Sequence, residues 1–304
     1  MKNLLLTCLI LMIGFSASSQ VWKTVRHEVS FGVGASNFLG DLGGAKGIGT
    51  HGIKDLKFRM TRPTLAGGYK YMLNPYLSVK GTIIWSLLSG DDAVTKNAVR
   101  NNRNLSFRAN IAVVSGYLVY YPIEDRVLPR YRIQGVRGNK ASAVSPYIFA
   151  GVGITFFNPK ANYNGDWIAL QPLATEGQGL AGRPDKYNRY TLCLPFGAGL
   201  KYRIDKQLSV SFELSLRYTL SDYIDDVSTS YYLPDEISAN YGNEVAGILS
   251  DRSIDPGANG VLEYPDGRNN YLQRGDPRYT DAYMFGLLTF HYRFVKGQVF
   301  IPKF

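Results

Sequence analysis

The chain has 304 residues, a formal net charge of +10, 45% hydrophobic residues and 13% aromatic residues. Its two cysteines, Cys8 and Cys193, are too few for a disulfide framework, which excludes the small disulfide-rich class of exported domains. The mean hydropathy of −0.13 does not exclude a membrane barrel, because barrel strands alternate apolar and polar residues and the average cancels.

Residues 1–19 have the order of a secretory signal peptide. Lys2 is basic, residues 4–15 are apolar, and residues 16–19 are small side chains suited to cleavage. The apolar run is shorter than the roughly 20 residues that a membrane-spanning helix needs. We therefore expect an exported mature chain with a single domain over residues 20–304 and no role in binding nucleic acid.

Period-two alternation is the main structural signal in the mature chain. It is clearest at 207–223, where Leu208 to Leu220 at even positions share one face and Ser209 to Thr219 at odd positions share the other. Strands this long exceed the usual ~5–6 residues of soluble sheets and match the ~9–11 residues that cross a bilayer. The eight segments with this pattern are 27–40, 62–72, 76–89, 106–121, 145–157, 190–204, 207–223 and 281–294.

These segments predict an all-β fold, an eight-stranded antiparallel transmembrane β-barrel of the small OmpA-like type with long extracellular loops. A soluble β-sandwich or soluble barrel would alternate too, but it would not explain the strand lengths. Tight turns at 74–75 and 205–206 alternate with long connections at 41–61, 90–104, 158–188 and 224–280. This alternation predicts a protein of the cell outer membrane, surrounded by its lipid, with both termini in the periplasm.

Charged residues fall on the face of the strands that we expect to point inward. They are Glu28, Lys70, Lys80, Arg108, Lys201, Arg203, Glu213 and Arg217. They would line either a conducting or substrate-binding lumen or a charge network that fills the barrel. We favour the network, because an eight-stranded barrel is only wide enough for side chains and buried charges persist when they are paired. Arg108 is expected to pair with Glu28 or Glu213.

The sequence offers little catalytic chemistry. His27 and His291 lie on the first and last strands, which are neighbours in a closed barrel, but a metal site needs three or four ligands. Asp41, Asp91 and Asp92 stand at outer strand ends, as carboxylates of a protease or simply as a polar rim. We find no HExxH, phosphate-binding loop or Ser–His–Asp pattern and predict no enzyme activity, no cofactor and no metal. Cys193 is expected to be a small packed residue.

Four segments carry a family resemblance. They are GVGASNFLGDLGG at 32–44, LSGDDA at 88–93, RNLSFRANI at 103–111 and RGDPRYTDAYMF at 274–285. They resemble the opening strand, the central pair and the approach to the last strand of the PorG-like outer-membrane barrels of the Bacteroidetes type IX secretion system. The resemblance implies a non-enzymatic barrel that associates with the periplasmic ring of that machine, built from a lipoprotein and a partner protein.

One connection departs from the alternation of loop lengths. Residues 122–143 should form a periplasmic turn, yet the segment is long and basic, with Arg126, Arg130, Arg132, Arg137 and Lys140. We consider two roles for it, docking on the ring or an acidic partner, and a basic loop against lipid headgroups.

Overall fold

The computed structural model describes residues 25–42, 58–95, 97–123, 143–205, 207–255, 261–263 and 269–295. Eight strands form a closed antiparallel barrel, as predicted. These strands are β1 (His27–Leu39), β2 (Arg62–Met72), β3 (Leu77–Asp91), β4 (Ser106–Tyr120), β5 (Val144–Tyr163), β7 (Tyr190–Arg203), β8 (Leu208–Thr219) and β11 (Ala282–Phe294). Around the barrel the neighbours follow the order β4-β3-β2-β1-β11-β8-β7-β5, and β5 pairs back to β4.

Shorter elements lie outside the barrel wall. β6 (Asp166–Ala169) continues the sheet beside β5, and β9 (Val261–Glu263) pairs with β10 (Asn269–Tyr271). Helices α1 (Ala98–Arg103), α2 (Pro234–Tyr241) and α3 (Glu244–Ser250) are short, as are the 3-10 turns Phe58–Met60, Asp92–Val94 and Gln171–Leu173. No helix in these described stretches has the length and apolar content needed to cross a membrane.

Two strands end at positions that differ from the sequence prediction. β5 continues six residues beyond 157, because Asn164 and Gly165, with φ of 52° and 96°, form a tight turn that pairs it with β6. β8 ends at Thr219 rather than at residue 223, because the chain leaves the sheet after Thr219. The Thr219 amide donates to the Asp281 carbonyl. The other six strands begin and end within two residues of the predicted positions.

The two ends of the barrel differ. At the end that we call the turn end, Asn74 accepts from the amides of Tyr76 and Leu77, and Asp205 accepts from those of Gln207 and Leu208. These Asx turns connect consecutive strands in the fewest residues. The chain enters β1 and leaves β11 at this same end. At the other end, residues 92–95, 97–105, 164–189, 220–255 and 269–281 form what we call the cap.

The outer wall of the barrel is apolar. Along β8 the even residues from Leu208 to Tyr218 point outward, whereas Ser209 to Thr219 are buried in the lumen. Outward aromatics are found at two levels near the ends of the wall, at the cap end Trp85, Phe156 and Tyr190, and at the turn end Tyr69, Tyr120, Tyr202 and Tyr292, and outward phenylalanines such as Phe31, Phe212 and Phe290 lie between them. Trp85 and Leu77 are eight positions apart in β3, which corresponds to roughly 26 Å along the strand, or ~20 Å vertically at a typical tilt. This exterior is that of a membrane-spanning barrel.

The lumen is divided into two layers. Toward the cap it is a hydrophobic core, in which the Phe38 and Phe107 rings meet edge to face at 4.9 Å and Ile224 and Val227 pack from the cap. Toward the turn end it is polar and charged. Gly199 makes room there for an aromatic ring, because a Cβ at this position would lie 2.3 Å from the Tyr147 ring.

β4 faces the opposite way from our prediction. Its apolar residues Phe107, Ala109, Ile111 and Val113 point into the lumen, and Arg108 points outward. The alternation was ambiguous because the other face is also apolar over most of its length, at Ala112, Val114, Leu118 and Tyr120. The hydrophobic layer beneath the cap decides the orientation.

Candidate functional site

A cluster of charges around Glu28 occupies the lumen at the turn end. Glu28 is 1% exposed, and its carboxylate lies 2.9 Å from Lys70, 2.7 Å from Lys201 and 2.9 Å from Arg293. The three cations project from β2, β7 and β11, so a single carboxylate ties together four strands of the wall. Such a group is costly to bury, and only its partners make burial tolerable.

A second carboxylate lies deeper in the same lumen. Glu213 on β8 binds the Lys80 ammonium at 2.7 Å and accepts a hydrogen bond from the Tyr147 hydroxyl at 3.1 Å. Arg217 is fully buried; it donates to the Tyr117 hydroxyl at 2.6 Å, and its guanidinium lies 4.4 Å from the centre of the Phe285 ring. Arg217 is therefore held by aromatic groups rather than by a carboxylate.

The described lumen carries more positive than negative charge. The inward cations of the strands are Lys70, Lys80, Lys201, Arg217 and Arg293, and the inward carboxylates are Glu28 and Glu213. A lumen filled by side chains with this excess of cations favours a rigid ion-paired plug over a cation-conducting channel.

Ser211, His291 and Glu28 form a line that the sequence did not reveal. The Ser211 hydroxyl is 2.7 Å from His291 Nε2, and His291 Nδ1 is 2.9 Å from Glu28 Oε1. The order is that of a hydrolytic triad, and only the register of β1, β8 and β11 brings the three together. Ser211 is 1% exposed and its hydroxyl oxygen lies 3.3 Å from that of Tyr147, so no ester reaches it while the lumen is packed.

The predicted nearness of His27 to His291 and the predicted ion pair of Arg108 are both wrong. His27 points outward and contacts the Tyr69 and Tyr71 rings, whereas His291 points inward, so they lie on opposite faces of the wall. Arg108 was expected to pair with Glu28 or Glu213, but it is exposed on the outside, with its guanidinium 5.6 Å from the Trp167 ring centre. The reversal of β4 described above is the cause. Arg203, at the end of β7, is partly exposed.

A buried cluster beneath the cap centres on Arg103, the last residue of α1. Its guanidinium binds Asp92 through two contacts of 2.6 and 3.1 Å, and it donates to the carbonyls of Asp41 at 2.8 Å and Arg274 at 2.5 Å. The Asp276 amide donates to Asp41 Oδ2 at 2.7 Å. Burial opposes the charge, yet Asp92 raises the pKa of Arg103 above its usual value. We call these five residues the Arg103 cluster.

A second buried group, around Glu176, adjoins the Arg103 cluster and extends further into the cap. Glu176 is fully buried and accepts from the amides of Ser228 and Thr229 at 2.9 and 3.0 Å. Arg274 binds Glu176 at 3.1 Å and donates to the Asp226 carbonyl at 2.6 Å. Burial raises the pKa of Asp226 to about 6, against the lowering effect of Arg274. The loops at 174–178, 226–229 and 274–276 therefore hold one another in place.

Carboxyl groups gather at the junction of cap and lumen. Asp225 accepts from the amides of Leu42 and Val227, and Asp281 accepts from that of Ile224. Burial, reinforced by neighbouring carboxylates, raises the pKa of Asp225 and Asp281 well above the usual range and that of Asp222 to about 9. In the residues that the structure describes, no group of three or more such side chains is arranged to hold a metal ion.

The remaining predicted residues include a buried cysteine, a partly exposed carboxylate and several undescribed positions. Cys193 is fully buried in the hydrophobic layer of the lumen. Asp91 caps the 3-10 turn at 92–94 by accepting from the Ala93 amide at 2.9 Å. The predicted signal peptide and the basic side chains Arg126, Arg130, Arg132, Arg137 and Lys140 lie outside the described residues.

Solved structures with low similarity to this chain include small barrels of outer membranes. Ail, the attachment invasion locus protein of Yersinia pestis, crystallised with a heparin analogue, is 12% identical with a TM-score of 0.37, covering 89% of this chain and 99% of that chain. Neisserial surface protein A is 9% identical with a TM-score of 0.38, covering 88% and 96%. The outer membrane enzyme PagL is 12% identical with a TM-score of 0.29, covering 87% and 98%.

Sequence comparison is more decisive about the family. No curated protein matches the chain. The family described as a domain of unknown function, DUF6089, matches residues 2–243, which is most of the chain. The chain therefore belongs to the DUF6089 family.

Proposed function

We propose that this DUF6089 barrel is a non-enzymatic outer-membrane component of a type IX protein secretion machine, with its termini in the periplasm and its cap outside. The observation that carries the proposal is the Arg103 cluster. Asp41, Asp92, Arg103 and Arg274 come from the four segments that resemble PorG-like barrels, and they meet in one buried contact. The resembling residues thus act together in building the capped barrel.

The packing supports a fixed part of such a machine rather than its pore. The lumen holds a hydrophobic layer under the cap and an ion-paired layer at the turn end. Export of folded cargo would require a barrel with far more strands than eight. An anchor or coupling element, in contrast, gains from a barrel that does not open.

The basic connection supplies a candidate surface for the periplasmic ring. It runs from the end of β4 at Tyr120 to the start of β5 at Val144, so it begins and ends at the turn end, beside both termini of the barrel. In this proposal Arg126, Arg130, Arg132, Arg137 and Lys140 dock on the ring lipoprotein, its partner protein or another acidic surface. Contact between opposite charges would confer specificity and salt sensitivity.

A charge-reversal experiment tests the contact. The variant changes Arg126, Arg130, Arg132 and Arg137 to Glu, and pull-down of ring components should fall together with secretion. The matched control changes Arg59, Lys186, Arg189 and Arg278, four exposed basic residues away from the turn end, to Glu and should leave both unchanged. Unchanged recovery and secretion in the Arg126–Arg137 variant would contradict docking through this connection.

Deletion of the gene tests the broader role. Loss of secreted cargo, restored by the wild-type chain, together with co-purification of ring components, is the expected result. The alternative function is a small barrel that stabilises the envelope or binds a ligand with its outer face. The folded cap favours that alternative, because it presents exposed Trp167, Ile254 and Tyr279. Normal secretion with a leaky envelope would select the alternative.

A further inference from the structure

The cap end of the barrel carries two cations side by side on its outer wall. Arg108 of β4 and Lys160 of β5 are directly opposite each other in the register, and both point outward. Their Cβ atoms are therefore roughly 5 Å apart, where like charges repel. Within the described part of the chain neither cation is paired with a carboxylate.

Trp167 completes the group, and we call Arg108, Lys160 and Trp167 the rim patch. β6 pairs with β5 so that Ala169 lies opposite Lys160 and Trp167 lies opposite Asn162, one outward row further from the membrane. The Trp167 ring is 46% exposed and lies 5.6 Å from the Arg108 guanidinium carbon. This cation–π contact orients the guanidinium and leaves its N–H groups available to an anion.

The distance between the rim patch and the apolar wall shows at which depth of the membrane the rim patch lies. Along β4 and β5 the next outward pair toward the membrane is Asn110 with Asn158, followed by Ala112 with Phe156. Four residues separate the rim patch from the Ala112–Phe156 pair, or roughly 10 Å vertically in a tilted strand. The cations therefore stand just above the hydrocarbon edge, in the layer occupied by lipid headgroups.

We propose that the rim patch binds the phosphate group of a lipid in the membrane leaflet on the cap side. Arg108 donates in bidentate fashion to the phosphate oxygens, and Lys160 supplies a second charge. The phosphate relieves the repulsion between the two cations. A lipid is favoured over free phosphate because the apolar wall at Ala112, Val114 and Phe156 continues directly below the patch and receives the acyl chains. The inference needs the barrel to be in a membrane but does not depend on the secretion role.

Native mass spectrometry of the purified full chain tests the site. Phosphatidylglycerol is titrated against wild type, Arg108→Gln, Lys160→Gln and the double variant, and the matching diacylglycerol serves as the lipid without phosphate. We expect phosphatidylglycerol binding to weaken roughly fivefold for each cation removed, and diacylglycerol to bind poorly throughout. Arg278→Gln is the matched control: it removes an exposed cation before β11, on the opposite side of the barrel, and should not weaken binding.

Three results would overturn the proposal. If Arg278→Gln weakened phosphatidylglycerol binding as much as the rim-patch variants do, the effect would come from net charge alone. Equal binding of diacylglycerol would assign the lipid to the apolar wall alone. Displacement by millimolar inorganic phosphate would indicate a free-anion site. The heat-induced gel shift reports folding of each variant, and Trp167→Leu, which keeps both cations, should weaken binding less than the double variant. Failure of the wild type to insert into vesicles would refute membrane placement separately.

Discussion

Glu28→Gln is the most direct test of the ion-paired lumen. The substitution keeps the size of the side chain but leaves Lys70, Lys201 and Arg293 without the carboxylate that lies within 3 Å of each. Removing one partner from a buried ion pair costs ~3–5 kcal/mol, because the remaining charge stays buried and uncompensated. We therefore expect the free energy of unfolding to fall by about that amount.

The measurement is urea unfolding of the barrel in lipid vesicles, with the temperature of the unboiled-gel shift as a second readout. Glu244→Gln is the control, because it removes the same charge from an exposed position at the start of α3, and it should change stability by less than ~1 kcal/mol. Combining Glu28→Gln with Lys201→Met should recover part of the loss, since it removes one of the stranded charges. Equal stability of Glu28→Gln and Glu244→Gln would refute the network as a stabilising element.

Three further predictions concern the cap and the lumen wall. Arg103→Gln removes contacts to Asp92 and Asp41 and should speed chymotrypsin digestion of the cap at least tenfold. The temperature of the barrel's unboiled-gel shift should change little. Equal digestion rates in the variant and the wild type would contradict the role of Arg103 in holding the cap together. Burial raises the pKa of Asp222 to about 9, so the folded cap holds this carboxyl protonated at a pH where the unfolded chain has released the proton. The free energy of unfolding of the cap should therefore fall by up to ~1.4 kcal/mol per pH unit as pH rises from about 4 to about 9. Asp222→Asn should flatten that slope in hydrogen exchange corrected for chemical rate, and an unchanged slope would exclude this carboxyl. Gly199→Ala, whose methyl meets the Tyr147 ring, should cost ~1–3 kcal/mol in urea unfolding, whereas Gly67→Ala has open space and should be near neutral; similar losses would refute the packing argument.

The strands were predictable because each is amphipathic and the pleat has a period of two. At β8 every second residue is Leu, Val, Phe or Tyr and the others are Ser, Thr, Glu or Arg, so only one face suits lipid. The same logic failed at β4, where Ala112, Val114 and Leu118 make the second face apolar too. There the choice depended on what fills the lumen, which is decided by Ile224, Val227 and other cap residues distant in sequence.

Among the candidate site residues, alternation assigned a face to those whose strands have one polar face. Glu28, Lys80, Lys201, Glu213 and Arg217 all point into the lumen. The partners were not predictable: Glu28 meets residues 42 to 265 positions away, and which ones depends on strand stagger around the closed barrel. Arg293 gave no sequence signal beyond its inward parity in β11, and His291 was considered only beside His27, not beside Glu28 and Ser211.

The amino-acid sequence by itself determined a closed, eight-stranded membrane barrel, since alternation selects the face of each strand and lipid tolerates no unpaired edge. It also marked the four segments that contain Asp41, Asp92, Arg103 and Arg274. Only the tertiary structure decided that these four residues form one contact, that Arg108 belongs to the outer rim, and that Ser211, His291 and Glu28 are aligned. The physical reason is that these contacts join distant parts of the chain, and their geometry follows from barrel closure and cap packing rather than from any local pattern.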